Sequence, residues 1–592
     1  MKKYFFLRRL NIWRIRNVSD RNLILILSMV VGFAAGITAL GLKTAVFYLR
    51  ELFLVKLEFH HDNFLLLVLP VIGIILTVSF KKYLIRDTIP HNIGSILHAI
   101  SKRNSIMRRH KVFSSVAGGA LTAGFGGSIG LESPIISSGS AIGSNLGRIM
   151  RLNYKTITLL LACGAAGAIS AIFNTPIAGI VFALEVLMLD LSRFSLIPLL
   201  IASVSGAIIT KLLFQDDLLF AFTTLDKFVA GDIPFYILLG ILTGFASVYF
   251  TKVFLGVEKK FERFKKARGK IIAGGIVLGI LIFVFPPLYG EGYASIKLIL
   301  NGNYNNLFES SLFAEHQSNI FVFTGFMFLL LLLKVVATAI TIGSGGVGGI
   351  FAPSLFMGAI LGFLFAFVYN YMNTGNELSV SNFALVAMAG VLGGVLHAPL
   401  TGIFLIAEVT SGYELIVPLM LTTTISFVTV KYFQPNSIFT FQLAERGELI
   451  THHKDKAVLK FMSLLSVIEK DMKEVNVDAK LGELVKIIAN SRRNIFPVLD
   501  NERNLIGLVM LDQIRHIIFE RELYDSTYVR DLMVFPQFTV SINDSMEDVA
   551  QKFQDSGAFN IPVVDSGKYV GFVSRSTVFS AYRNMLKEIS EE

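Results

Sequence analysis

Gly130-Leu131-Glu132-Ser133-Pro134 and Gly349-Ile350-Phe351-Ala352-Pro353 carry glycine and proline at matching positions. The correspondence extends outward from these blocks. Gly139 and Gly143 fall on Gly358 and Gly362, and Pro176-Ile177-Ala178-Gly179-Ile180 falls on Pro399-Leu400-Thr401-Gly402-Ile403. Glu185-Val186 then falls on Glu408-Val409, with a nearly constant offset throughout. The chain therefore reads as two repeated halves, about 23–215 and 235–444. Such repeats are common in transporters, where the binding site lies at the repeat interface. In each block a glycine allows a tight entry and a proline suits the first helical turn. Each block is thus expected to open a helix, whose free N–H groups carry roughly half a unit of positive charge. Two such ends converging from opposite halves would hold a monovalent anion without a cationic side chain. The binding would be favourable enough for entry and weak enough for exit.

Composition agrees with a membrane setting. Of 592 residues, 53% are hydrophobic and 16% charged, against about 25% charged in a soluble chain. The mean hydropathy is +0.63. The N-terminal segment, 1–22, contains Lys2, Lys3, Arg8, Arg9, Arg14, Arg16 and Arg21 with one acid, Asp20. The apolar run from Leu23 to about Tyr48 exceeds the core of a signal peptide. It is read as an uncleaved first membrane helix with a cytoplasmic N-terminus. The net charge of +11 is assigned to orientation in the bilayer, not to nucleic acid. Cys163 is the single cysteine, which excludes an intrachain disulfide and a cysteine-based metal site.

Apolar stretches follow at 64–80, 113–126, 156–187, 195–214, 235–255, 271–286, 319–342, 350–370, 382–408 and 415–433. A simple spanning helix takes about 20 residues. The uneven lengths and the internal Gly and Pro predict broken and tilted helices lining a buried site. From Glu445 to Glu592 charges become frequent. A linker at 445–465 is expected to lead into a cytoplasmic α/β region, with strands such as Ile495–Leu499 and Leu505–Val509. The C-terminus then lies in the cytoplasm with the N-terminus, and a bacterial inner membrane suits the whole.

Glu132 is the most informative ionisable residue. A carboxylate within a membrane costs about 2.5–3.5 kcal/mol or more, which marks it as functional by default. At a helix start it could occupy the anion's own place as a gate and proton carrier, or simply cap the helix. Glu185 and Glu408, at equivalent repeat positions, are read as buried acids bonded to backbone or to each other's loops. Lys334 either attracts anions or snorkels. His91, His397, His452 and His453 show no metal-ligand spacing; His397 falls on Asn174, which favours a structural role. The membrane region has too few carboxylates for a hard cation. No nucleophile–base pair or phosphate loop suggests an enzyme.

These motifs resemble the CLC family of chloride channels and chloride/proton exchangers. Gly130–Pro134 looks like that family's gating motif and Gly348–Pro353 like its second anion motif. Phe173-Asn174-Thr175-Pro176-Ile177-Ala178-Gly179 and Ala398-Pro399-Leu400-Thr401-Gly402 also match. The resemblance implies an all-α multi-spanning domain with inverted halves over about 20–445, and a homodimer with one pore per subunit. Glu132 is then the gate, and Gly130, Leu131, Gly349, Ile350 and Phe351 are anion-binding positions. Three departures stand out. The first anion motif reads Arg86-Asp87-Thr88-Ile89-Pro90, so Asp87 replaces a serine and Thr88 is left to supply a hydroxyl. The family's central tyrosine falls on Phe439. The inner proton glutamate is replaced by Val186, an alkyl side chain. The resemblance thus implies a chloride-selective channel, with the tail as a modulator; the alternative is a chloride/proton antiporter using the same glutamate.

The tail resembles two CBS domains, about 466–520 and 527–585. Ile495-Phe496-Pro497-Val498-Leu499-Asp500 and Ile561-Pro562-Val563-Val564-Asp565 carry the likeness, each followed by a glycine-containing strand. Such pairs often bind an adenine nucleotide. Ser574 and Thr577 occupy the relevant places in the second copy, and the ribose-binding aspartate is missing. A purely structural or dimerising tail is the other expectation. No cofactor is required for transport.

Overall fold

A computed structural model describes residues 18–54, 64–86, 93–187, 193–213, 226–264, 266–309, 311–314, 319–372, 377–410, 412–441, 459 and 462–590. Asp87, Thr88, His91, His452, His453, most of 1–22 and most of the linker at 445–465 lie outside these residues. The chain divides into two compact units, Met1–Leu449 and Ile450–Glu592.

The first unit is helical. Its first half runs through α1 (Asp20–Leu54), α2 (Phe64–Ser79), α3 (Gly94–Lys102), α4 (Lys111–Gly124), α5 (Glu132–Ile149), α6 (Tyr154–Phe173), α7 (Pro176–Glu185) and α8 (Arg193–Leu213). The second half repeats that order in α9 (Ile233–Glu262), α10 (Ala267–Val284), α11 (Tyr293–Leu300), α12 (Ile320–Gly343), α13 (Phe351–Met372), α14 (Val380–Leu396), α15 (Pro399–Val409) and α16 (Ile416–Phe433). Packing repeats with it. α5 lies on α6 as α13 lies on α14, and α1 packs against α6 and α8 as α9 packs against α14 and α16. Among the described residues, 8 helices are long and apolar enough to cross a membrane. The protein is an integral membrane protein.

Two apolar stretches expected as single runs are broken. Asn174 ends α6 at φ 58° and His397 ends α14 at φ 55°, both left-handed. Asparagine is among the few non-glycine residues that tolerate this conformation. Pro176 and Pro399 restart the chain at the first turn of α7 and α15, where a missing N–H costs nothing. α5 is buried although it is rich in serine and glycine. Its small residues allow backbone contact: a Cβ at Gly143 would stand 1.9 Å from the Leu160 carbonyl oxygen, and one at the repeat-related Gly362 would stand 2.1 Å from that of Phe383.

The second unit contains two three-stranded sheets of the same form. β1 (Val475–Asn476) pairs in parallel with β2 (Ile495–Leu499), which pairs antiparallel with β3 (Leu505–Met510). β4 (Val540–Ser541), β5 (Asn560–Asp565) and β6 (Lys568–Ser574) repeat this, with the register irregularity between Val498 and Leu499 recurring between Val563 and Val564. Short bridges join the copies, Asn504 to Lys568 and Glu469 to Phe572.

Candidate functional site

The two repeated blocks meet. Gly130 and Gly349 form an antiparallel bridge in which each N–H donates to the other's carbonyl at 2.8 Å. The loops around this bridge exchange matching bonds. Ser128 N–H donates to Thr341 Oγ1 at 3.2 Å, and Val347 N–H donates to Thr122 Oγ1 at 3.0 Å. Equivalent residues thus bind one another about an approximate two-fold axis. α5 and α13 each start two residues beyond the bridge, at Glu132 and Phe351. Unpaired N–H groups and positive dipole ends are therefore brought together at one place.

Glu132 is fully buried at this junction. Its Oε1 accepts a short hydrogen bond from the Tyr293 hydroxyl at the start of α11. Its Oε2 is buried, accepts no hydrogen bond of normal geometry and lies close to the Gly130 backbone. Tyr293 packs edge-on against Phe173 at 6.2 Å, and Phe173 stacks on Phe351 at 5.4 Å. The carboxylate thus sits among apolar rings. Such an environment penalises charge unless a donor, a proton or a positive dipole end answers it. Tyr293 is the residue the sequence reading missed. Gly290-Glu291-Gly292-Tyr293 was its signal: Gly290 and Gly292 both take positive φ, 63° and 95°, which turns the chain sharply into α11.

Ser133, Gly349, Ile350, Ile438 and Phe439 line a cavity next to the bridge together with Glu258 from α9. The structure therefore brings together Gly130, Leu131, Glu132, Gly349, Ile350 and Phe351, with Phe439 in the wall of the same cavity. Phe439 offers a ring and no hydroxyl. Val186 is buried, 6% exposed, just past the end of α7.

Glu185 and Glu408 each cap the other half's helix. Leu400 N–H and Thr401 N–H donate to Glu185 at 3.0 and 2.8 Å, with the Thr401 hydroxyl also at 2.8 Å. Ile177 N–H and Ala178 N–H donate to Glu408 at 2.9 and 2.8 Å. The acid closing each helix reaches the start of the other, so α7 and α15 run antiparallel and the halves are inverted.

Lys334 corrects one sequence expectation: it does not snorkel. Its fully buried ammonium donates to the Leu288 and Gly290 carbonyls at 3.3 and 2.9 Å and lies 4.9 Å from the Phe356 ring centroid. It holds the turn that delivers Tyr293.

In the tail, the hydroxyls of Ser574 and Thr577 are already engaged. Ser574 donates to Glu469 Oε1 at 2.6 Å and Thr577 donates to the same oxygen. Arg493 pairs with Glu469 Oε2 at 2.9 Å and with Asp471 at 2.8 Å. Burial opposes ionisation of Glu469. The hydrogen bonds from Ser574 and Thr577, aided by Arg493, outweigh it and hold the carboxyl below its usual range.

Inverted helical halves meeting at an acid and two helix starts define a class, the multi-spanning membrane transport proteins. Comparison with known proteins places the chain within it. Residues 72–431 match the family described as voltage gated chloride channel, and 466–520 and 529–584 each match the CBS domain. The chain belongs to the CLC family and carries a C-terminal CBS pair. It is 32% identical over 355 residues to the "Putative chloride channel protein ClcB-like" of Ralstonia nicotianae, covering 59% of this chain and 77% of the relative. It is 29% identical over 414 residues to an H(+)/Cl(-) exchange transporter, ClcA, of Vibrio cholerae, covering 68% and 84%. A slow cyanobacterial Cl-/H+ antiporter shares its fold at a TM-score of 0.63 and 24% identity, over 73% of this chain and 99% of that structure.

Proposed function

We propose that this protein is a secondary active exchanger of chloride for protons. The carrying observation is Glu132: a fully buried carboxylate between two helix starts, with one oxygen held by Tyr293 and the other buried beside the backbone of the bridge. Ionised, it competes with an anion for the same N–H groups. Protonated, it loses that attraction, leaves room for the anion and carries a proton as it does so. One side chain thereby links the two ions. Gly130, Leu131, Gly349, Ile350 and Phe351 supply backbone polarity for a chloride ion, and Phe439 bounds its cavity. Thr88 is proposed as a further anion contact. The protein acts as a homodimer with a pathway in each subunit, in a bacterial inner membrane with both termini cytoplasmic.

The resemblance to the Vibrio cholerae exchanger over 84% of its length supports exchange over the channel expected from Val186. Passive conduction keeps one supporting observation: Val186 cannot bind a proton. Purified protein in vesicles with a chloride gradient decides between them. Exchange drives protons uphill and acidifies or alkalinises the lumen according to the gradient's sign. Chloride flux with no proton movement establishes conduction.

A further inference from the structure

A proton released inward from Glu132 must leave through groups that can bind it. The chain beyond the bridge is mostly apolar: Ile342, Ile350, Phe254, Ile438 and Phe439 line the cavity next to Ser133. Glu258 lines the same cavity. It sits near the end of α9, and its wall partners Ile438 and Phe439 immediately precede the segment by which the chain runs on toward the tail. Ser133 follows Glu132 directly, so the cavity reaches from the buried acid's own helix turn to this second acid.

We propose that Glu258 is the tail-side proton relay of the exchanger; this rests on the exchange function proposed above. Its carboxylate takes a proton from the tail-side solution and becomes neutral. It then passes that proton through the cavity to the Glu132 carboxylate, leaving Glu258 anionic and Glu132 neutral. The reverse transfer serves the opposite direction. An ionised Glu258 and an anion in the cavity repel each other, so the filled cavity favours the neutral acid. Anion occupancy and proton loading are linked at the inner end as Glu132 links them at the bridge.

Among the described residues, the charges around Glu258 are few. Glu262, one turn on, and Lys270 from α10 act on it electrostatically with opposite signs. Lys259 lies over the Phe441 ring at 5.2 Å, and Lys81 donates to the Gly345 carbonyl at 2.9 Å. Of the other helices packed on α9, α13 and α14 carry no Asp, Glu, Lys or Arg. Lys334 of α12 is bonded to the Leu288 and Gly290 carbonyls, and Lys431 of α16 lies over Phe427. A merely solvated helix-end charge is the competing account.

The test records chloride and pH together in vesicles loaded with the full-length protein. Glu258→Gln should lower proton flux at least tenfold more than chloride flux, whereas Glu262→Gln should keep the wild-type ratio. A wild-type ratio in Glu258→Gln overturns the relay and leaves exchange standing. Absence of proton movement in the wild type overturns exchange and the relay with it. If Glu258→Gln carries neither ion, Glu258→Asp decides. The more acidic side chain should shift the tail-side pH dependence of proton flux downward, and an unmoved profile overturns the relay.

Discussion

At the scale of single residues, the site turns on how Glu132 is held. A hydrogen bond to a charged group contributes about 1.5–3 kcal/mol, so the Tyr293 hydroxyl weights the equilibrium toward the seated carboxylate. Tyr293→Phe leaves ring packing on Phe173 intact and removes that bond. The seated state should lose roughly tenfold in population, since about 1.4 kcal/mol is a factor of ten, and chloride flux should rise in proportion until another step limits it. A stopped-flow or electrode flux assay reads this, and an unchanged rate would show that the bond has no part in closure. Glu132→Gln mimics the protonated acid. Chloride flux in that variant should lose most of its pH dependence and proton flux should vanish; a wild-type pH profile would remove Glu132 from the gate.

Among elements, α7 and α15 form a mutually capped pair, and this pair fixes how the halves join. Removing Glu185 or Glu408 leaves two N–H groups at the start of the partner helix, one exposed and one partly buried, without their charged acceptor. The loss should be on the order of 1–3 kcal/mol for each alanine variant, seen as an earlier thermal transition of the purified protein. Equal stability would mean that the caps are replaced by water. A methyl at Gly143 should also destabilise, by roughly 1–3 kcal/mol or more, because the obstructing atom is a backbone oxygen. These elements show what a sequence reader can and cannot see. The repeat exposed the two helix starts because Gly and Pro have fixed backbone duties, and it exposed the paired glutamates because apolar surroundings make acids conspicuous. α5 escaped hydropathy because its buried face is built from serine and glycine. α3 and α11 escaped because they are short, 9 and 8 residues. Tyr293 escaped because its approach to Glu132 spans 161 positions of chain and has no local pattern. Glu258 looked like one charge in the mixed run Glu258–Arg263, and only the cavity singles it out.

For the whole molecule, the same structural device appears in both units: two copies of a motif, joined through equivalent or adjoining edges, with a charged residue from outside a copy answering its polar groups. In the tail, Glu469 precedes the first sheet yet binds Ser574 and Thr577 of the second copy. These hydroxyls are the ones that the CBS resemblance assigns to a nucleotide. A phosphate arriving there meets a carboxylate, and Arg493 beside it is already paired with Glu469 and Asp471. Full-length protein should therefore show no adenine nucleotide binding at micromolar concentrations near neutral pH, whereas Glu469→Ala frees both hydroxyls and one face of Arg493 and should gain it. Calorimetric titration with AMP and ATP distinguishes the two, and tight wild-type binding would show that Glu469 yields its place. The pH dependence has a definite sign. The folded-state acidity of Glu469 is enhanced relative to an unfolded value of about 4.3. Its stabilising contribution is therefore complete above that unfolded value and disappears as pH falls through the lower folded one. Glu469→Gln should accordingly weaken the tail at neutral pH and converge with the wild type in strong acid. Parallel stability profiles down to that range would show that the Ser574–Glu469–Thr577 contact contributes nothing to holding the two CBS copies together.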